Sequence, residues 1–313
     1  MLVKASESQW LRERAPRYRF IRAAAARFLP GENLQDALAA ARRLADDGID
    51  TLLTQLGENV TVRAEAEAVT AHYLDVLQRI RDARLPSEIS VKLTQLGVDL
   101  DADFCFSNLT TLIERSRDAN IAGEKKNPER TLWIDMEQSK YTGVTLDLYG
   151  RARKADRNVG VCVQAYLHRT KEDVDSLISM GASVRLVKGA YSELPEIAFA
   201  KKTDVDENYF RLAQTLLGLE ARRKGVRAVM ATHDLKLIAR ISDWARSEGI
   251  AANQVEFAML YGIQRAEQLR LAREGYRSGV LVSYGAFWFP WFMRRLAERP
   301  ANVLFLVRNL FSR

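Results

Sequence analysis

The chain has 313 residues, 47% of them hydrophobic and 28% charged, with a net charge of +7 and two cysteines, Cys105 and Cys162. Ordinary globular proportions argue against a disordered chain, and two well-separated cysteines without metal-ligand spacing argue against a disulfide framework and for reduced thiols. No window approaches the ~18 apolar residues of a spanning helix, the N-terminus lacks an apolar signal core, and the spread positive charge permits contact with an anionic surface without establishing it.

Taken in order, residues 17–47 read as two helices split at Pro30-Gly31, the second an Ala/Leu-rich amphipathic run ending at Asp46-Asp47-Gly48. Short apolar runs then alternate with longer helical patterns. The runs are 51–56, 89–93, 132–136, 159–166, 184–187, 227–232, 255–260 and 279–284, eight in all. Helices are predicted between them at 60–84, 103–121, 144–157, 171–180, 205–224, 235–248 and 263–274, several ending at a glycine after a polar last turn, as at Gly225, Gly249 and Gly275. Eight strand–helix units favour closure into a (β/α)8 barrel. A doubly wound open sheet competes, but no Gly-x-Gly-x-x-Gly follows any strand. Leu-Thr-Gln-Leu-Gly at 53–57 returns at 93–97, a small echo consistent with adjacent units.

In such a barrel the chemistry sits at the C-terminal ends of the strands. Those positions are Glu58, Lys92, Asp135, Gln164, Arg185 with Lys188 and Tyr191, Thr232-His233-Asp234, Glu256 with Leu260, and Tyr284, nearly all polar. Lys92 reads either as an interior lysine paired with an acid such as Glu58, or as a Schiff-base nucleophile, or as a cation steering an anionic ligand. Asp135 reads as a capping acid or a site acid, and His233 has no second histidine at ligand spacing, so no metal site is expected. In Val-Arg-Leu-Val-Lys-Gly-Ala-Tyr at 184–191, Gly189 and Ala190 leave room for a flat or phosphate-bearing group while Arg185 and Lys188 supply charge.

The last stretch, 283–300, combines an apolar run, a turn at Gly285 and a helix stopped at Pro300. Tyr284, Phe287 or Trp288, Trp291, Arg295 and Glu298 recur at three- and four-residue steps, with Arg294 beside them. Two adjacent guanidiniums against an aromatic wall suit a small ligand with a carboxylate and an apolar body, and Glu298 would hold the arginines in place.

The pattern Tyr-Gly-x-x-Trp-Phe-Pro-Trp-x-x-Arg-Arg-x-x-Glu, with Lys92, Ile-Asp-Met-Glu at 134–137, Val-Gln-Ala-Tyr at 163–166, Arg-Leu-Val-Lys-Gly-Ala-Tyr at 185–191, Ala-Thr-His-Asp at 231–234 and Glu-Phe-x-Met-Leu-Tyr-Gly at 256–262, resembles the proline dehydrogenase family. The resemblance runs from about Gly48 to Pro300. It implies a distorted TIM-type barrel, with the last barrel helix over the mouth, that holds FAD and oxidises L-proline to Δ1-pyrroline-5-carboxylate. A hydride equivalent would pass from proline C5 to flavin N5, and electrons would go on to a quinone. Carried over by motif, Arg294 and Arg295 bind the carboxylate, Glu298 braces them, and Lys92 adds charge. Asp135, Tyr191, Leu260 and Tyr284 shape the pocket, Tyr284 in the manner of a proline-specific form. Asp135, Met136, Gln164, Arg185, Val187, Gly189, Ala190, Tyr191, Thr232, His233 and Glu256 contact the flavin. Ser192 departs from relatives with an aromatic after Gly-Ala-Tyr.

The domain reading is an N-terminal helical arm, 1–47, and a flavin-binding barrel with its C-terminal helix, 48–313, in the monofunctional form. A cytoplasmic protein is expected, with peripheral contact at the membrane through the amphipathic tail left open, and no nucleic-acid partner. The alternatives are a Schiff-base aldolase using Lys92 or Lys188 and a basic nucleic-acid-binding module, the latter lacking a basic stripe interleaved with aromatics.

Overall fold

Eight parallel strands close into a barrel in sequence order, β1 (Asp50–Gln55), β2 (Ser87–Val91), β3 (Leu132–Ile134), β4 (Val159–Gln164), β5 (Ser183–Val187), β6 (Arg227–Ala231), β7 (Glu256–Leu260) and β8 (Arg277–Tyr284), with β8 pairing back onto β1. The computed structural model describes residues 21, 24–57, 59–120 and 130–298, side chains at 118–120 and 294–298 excepted. All eight expected strands form, within a few residues of their expected ends. The open sheet is thereby excluded.

The helices follow the expected order: α1 (Leu34–Asp46), α2 (Arg63–Asp82), α3 (Ala102–Asn120), α4 (Thr142–Ala155), α5 (Thr170–Ser179), α6 (Lys202–Leu217), α7 (Leu219–Arg223), α8 (Leu235–Ser247), α9 (Arg265–Arg273) and α10 (Trp288–Glu298). Gly218 divides what the sequence reads as a single helix into α6 and α7. Asn33 starts α1 by accepting from the Asp36 N–H at 2.9 Å. The apolar face of α1, Ala37, Leu38, Ala40, Ala41 and Leu44, is buried in the main core, and the helix packs on β1 and β8. It thus covers the seam outside β8, the place a helix after β8 holds in a regular barrel. That leaves α10 free to lie elsewhere. Among the described residues no helix is long and apolar enough to cross a membrane.

Alternation along the strands fills the barrel interior in layers. At the N-terminal end lies an ionic layer. Glu256 is ion-paired with Arg227 at 2.7 Å and with Arg277 at 3.0 Å, and Arg227 also pairs with Glu88. Asp50 lies in the same charged neighbourhood. Above it an apolar layer, Leu52, Trp133, Val229 and Ala258, forms a cluster of its own. Trp133 is fully buried, and its Nε1 donates to Glu88 at 2.6 Å. A Cβ at Gly160 would stand 2.7 Å from the Trp133 ring, so the indole is accommodated by glycine on the next strand.

Candidate active site

Over the apolar layer opens a cavity of about 810 Å³, within the range of small-molecule and cofactor sites. Its walls come from the C-terminal ends of the strands and the loops that follow them. Asp135, just past β3, is the hub. Its Oδ2 accepts from Lys92 Nζ at 2.9 Å, and its Oδ1 accepts from Ser90 Oγ at 2.6 Å and from the Arg185 guanidinium. Burial alone would push this carboxyl up, but Lys92 and Arg185, helped by Ser90, hold it at about 2. The anion is therefore locked, and two cations face it. Lys92 also reaches Thr54 Oγ1 at 3.4 Å. The acid paired with Lys92 is Asp135, while Glu58 lies outside the described residues.

The β4–β5 wall carries two polar atoms with no partner. Gln164 Nε2 donates to the carbonyls of Met136 (3.4 Å) and Glu137 (3.2 Å), which fixes the amide and leaves Oε1 as an unused acceptor. Arg185, 4% exposed and committed to Asp135 and Ser90 through Nη2, keeps Nη1 without a partner. Buried polar groups of this kind are costly unless something satisfies them. Gln164 pairs in register with Val187, two residues beyond Arg185, so the free acceptor and donor stand on neighbouring strands, and a heteroaromatic ring bearing C=O and N–H groups, as the isoalloxazine ring of a flavin does, would satisfy groups of both kinds. Buried Cys162 also lines this wall, close to Arg185.

Around the rim, His233 accepts the Leu260 N–H at Nε2, 2.9 Å, which places its proton on Nδ1. Lys188 lies between Asp206 and Asp234, the latter at 2.8 Å, and Lys202 bridges the same two acids. Burial opposes the charge on Asp234, yet Lys188 and Lys202 hold it at about 2. Gly189 has a left-handed φ of 113°, and a Cβ there would fall 2.2 Å from the Tyr166 ring. Its glycine identity thus answers to Tyr166 as well as to any ligand.

Met136, Val187, Ala190, Tyr191, Thr232 and Leu260 also line the cavity, as do Asp135, Lys92, Gln164, Arg185, Gly189 and His233. Among the described strand-end residues expected at the site, Glu256 and Tyr284 do not. Glu256 opens β7 and points inward two layers below, into the ionic layer; Ala258 and Leu260 of the same face rise from it to the cavity. Tyr284 belongs to β8 rather than to the helix after it, and the period of two turns it outward. Its hydroxyl meets His72 Nε2 of α2 at 2.8 Å, and the β8 residues at the cavity are Leu281 and Ser283.

Helix α10 reaches the mouth. Trp288, Phe289, Trp291, Phe292 and Met293 cluster with Leu56 and Leu260 at the ends of β1 and β7, and with Phe28 and Leu29, and Trp291 lines the cavity. The side chains of Arg294, Arg295 and Glu298 lie outside those described. Of the two alternatives for that face, Phe287 is 72% exposed and Trp288 is buried in the cluster. Sequence reasoning passed over Thr54, Ser90 and Ser283. Ser90 was findable, because it stands two before Lys92 and shares its face.

The proline dehydrogenase family model matches residues 37–308. Proline dehydrogenase 2 of Bacillus subtilis is 36% identical over 289 residues, covering 92% of this chain and 91% of that protein. Proline dehydrogenase of Deinococcus radiodurans is 32% identical, covering 92% and 90%. In fold, the chain superposes on proline utilization A from Bdellovibrio bacteriovorus, inactivated by N-propargylglycine, with a TM-score of 0.80 at 23% identity, covering 93% of this chain and 34% of that one.

Proposed function

The chain belongs to the proline dehydrogenase family, and from that premise we propose that it uses FAD to oxidise L-proline to Δ1-pyrroline-5-carboxylate, with a quinone as electron acceptor. The observation that carries the flavin reading is the pair of unpartnered atoms, Gln164 Oε1 and Arg185 Nη1, at the cavity wall. Gln164, Arg185, Val187, Gly189, Thr232 and His233 would hold the cofactor. The bound flavin supplies a two-electron acceptor for the C–N bond that is oxidised.

The chain's own residues do the rest by charge and by exclusion of water. Lys92 and Arg185 outnumber Asp135, so the centre carries excess positive charge. That charge attracts the carboxylate and disfavours an ammonium beside it, holding the substrate nitrogen in the neutral form that can form C=N. Arg294 and Arg295 stand three and four positions after Trp291 in α10, and we assign them to the carboxylate, with Glu298 bracing them. Leu56, Leu260, Leu281 and Trp291 supply apolar wall against the ring. Asp135, held as an anion, orients the two cations and is not a proton donor near neutral pH. Lys92 and Lys188 are each engaged by acids, which favours their electrostatic use over Schiff-base chemistry.

The visible spectrum of the purified protein tests this. A flavin band that L-proline bleaches anaerobically is expected, whereas a colourless protein that added FAD leaves unchanged overturns the reading. Arg295→Met is expected to keep flavin and lose proline affinity; unchanged affinity removes that assignment.

A further inference from the structure

The loop from β5 to α6 brings Gly189, Ala190 and Tyr191 to the cavity, and both of its ends are pinned to the loop that follows β4. At its start the Tyr166 N–H donates to the Lys188 carbonyl at 2.9 Å. Towards its end the His168 N–H donates to the Ile197 carbonyl at 3.0 Å, and the Phe199 N–H to the Tyr166 carbonyl at 2.8 Å. Between these anchors Glu193 reaches past β4 to the loop that follows β3. Its Oε1 accepts from the Ser139 N–H at 2.8 Å, and its Oε2 accepts from Ser139 Oγ at 2.6 Å. Ser139 opens the 3₁₀ turn Ser139–Tyr141 that leads into α4, and Gln138 before it gives that turn no side-chain cap. A carboxylate is favoured at such a start by the free N–H groups and their dipole. Because this cap comes from 54 residues away, it fixes the β5–α6 loop as much as it fixes the helix.

We propose that Glu193 is a positioning residue, whose grip on Ser139 holds the stretch 190–192, and with it Tyr191, at the cavity wall that the substrate ring meets. This rests on the proposed function. Glu193 stands outside the cavity lining and acts through Tyr191, two positions before it. The bond joins the loop that begins at Asp135 to the loop that bears Tyr191, with the end of β4 and Gln164 between them. Ser192 is exposed and has no ring with which to pack the stretch in place, so the carboxylate does the holding.

The test compares flavin-loaded wild type, Glu193→Ala, Glu193→Gln and Ser139→Ala in steady-state oxidation of L-proline. Glu193→Ala is expected to raise KM about tenfold and to leave kcat within about threefold, because Tyr191 shifts while the charge centre stays. Glu193→Gln keeps an acceptor for the N–H and a donor for the hydroxyl, so its KM is expected within about twofold of wild type. Ser139→Ala keeps the N–H bond and is expected to raise KM about threefold; it decides the matter if Glu193→Ala does not fold. In a Tyr191→Ala background, Glu193→Ala is expected to add less than about twofold to KM. Independently of turnover, amide hydrogen exchange at 190–193 in the flavin-loaded protein is expected to quicken about tenfold in Glu193→Ala and not in Glu193→Gln. An unchanged KM in Glu193→Ala or Ser139→Ala, or a tenfold effect that persists without the Tyr191 side chain, overturns the proposal and leaves the proposed function standing. So does loss of flavin and kcat at unchanged KM, the mark of a merely structural cap. Failure of proline to bleach the wild-type flavin overturns both.

Discussion

The barrel interior holds two buried charge networks, one above Trp133 and one below, and they differ in balance and in completeness. Both arginines that lead them, Arg185 above and Arg227 below, stand 5.3 Å from the centre of the Trp133 ring. In the upper network two cations, Lys92 and Arg185, share Asp135, and Arg185 Nη1 remains unpartnered. In the lower one Arg227 and Arg277 meet Glu88 and Glu256 with Asp50 nearby, three acids to two guanidiniums, and none of their atoms is among the unpartnered ones. A positive, incomplete network under an open cavity is prepared for an anionic or electron-accepting ligand. A satisfied network with an excess of acid closes the floor.

Changes in the two networks should therefore have different consequences. The largest effect is expected from Asp135→Asn, which leaves Lys92 and Arg185 facing each other without their anion. Turnover should fall by about a hundredfold or more, as for the loss of a preorganised electrostatic group. Steady-state kinetics on flavin-loaded protein measure it, and a loss under threefold would break the distinction from the top.

Next comes Glu256→Gln, which strips Arg227 and Arg277 of a shared buried partner. Breaking a buried pair from one side costs about 3–5 kcal/mol. Chemical denaturation should register that loss, while kcat per bound flavin stays within about threefold, because the change is below the apolar layer. A collapse in kcat with intact stability would place Glu256 in the chemistry after all.

Asp50 sharpens the comparison by pH. Burial, then the neighbouring Glu256, raises its pKa from 3.8 to about 6. A folded-state pKa above the unfolded one means that folding favours the protonated acid, so this group's contribution falls as pH rises from 3.8 through 6. Asp50→Asn should raise Tm by a few degrees at pH 8 and by about half as much at pH 5, at roughly 2–4 °C per kcal/mol. An equal shift at both pH values would remove Asp50's titration from the account.

The smallest effect is expected from Tyr284→Phe, which deletes the hydroxyl bonded to His72 outside the barrel. About 1 kcal/mol of stability is at stake, with kcat/KM for proline changed by less than about twofold. A large shift in substrate preference would return Tyr284 to the pocket.

Much of this organisation is legible along the chain. The alternation of apolar runs with helical patterns locates all eight strands, and polar residues in apolar company mark Lys92, Asp135, Gln164 and Arg185, which converge on the cavity. The same signal fails at Glu256, since it says that a charge is buried but not at which height. At Tyr284 it fails because a residue at a strand end and before a helix belongs to either period. Read at helical spacing it joins Trp291; read at the strand spacing it has, it joins Val282 on the outer face.

By itself, then, the sequence determined the family, the barrel and the charged residue types that gather at its mouth, because local periodicity and motif order are properties of neighbouring residues. Only the tertiary structure decided which layer each charge joins, that Asp135 rather than another acid unites Lys92 with Arg185, and that Ser283 replaces Tyr284 at the wall. Those outcomes depend on strand register around a closed sheet, where a shift of one residue reverses a side chain and a shift of two moves it to another layer.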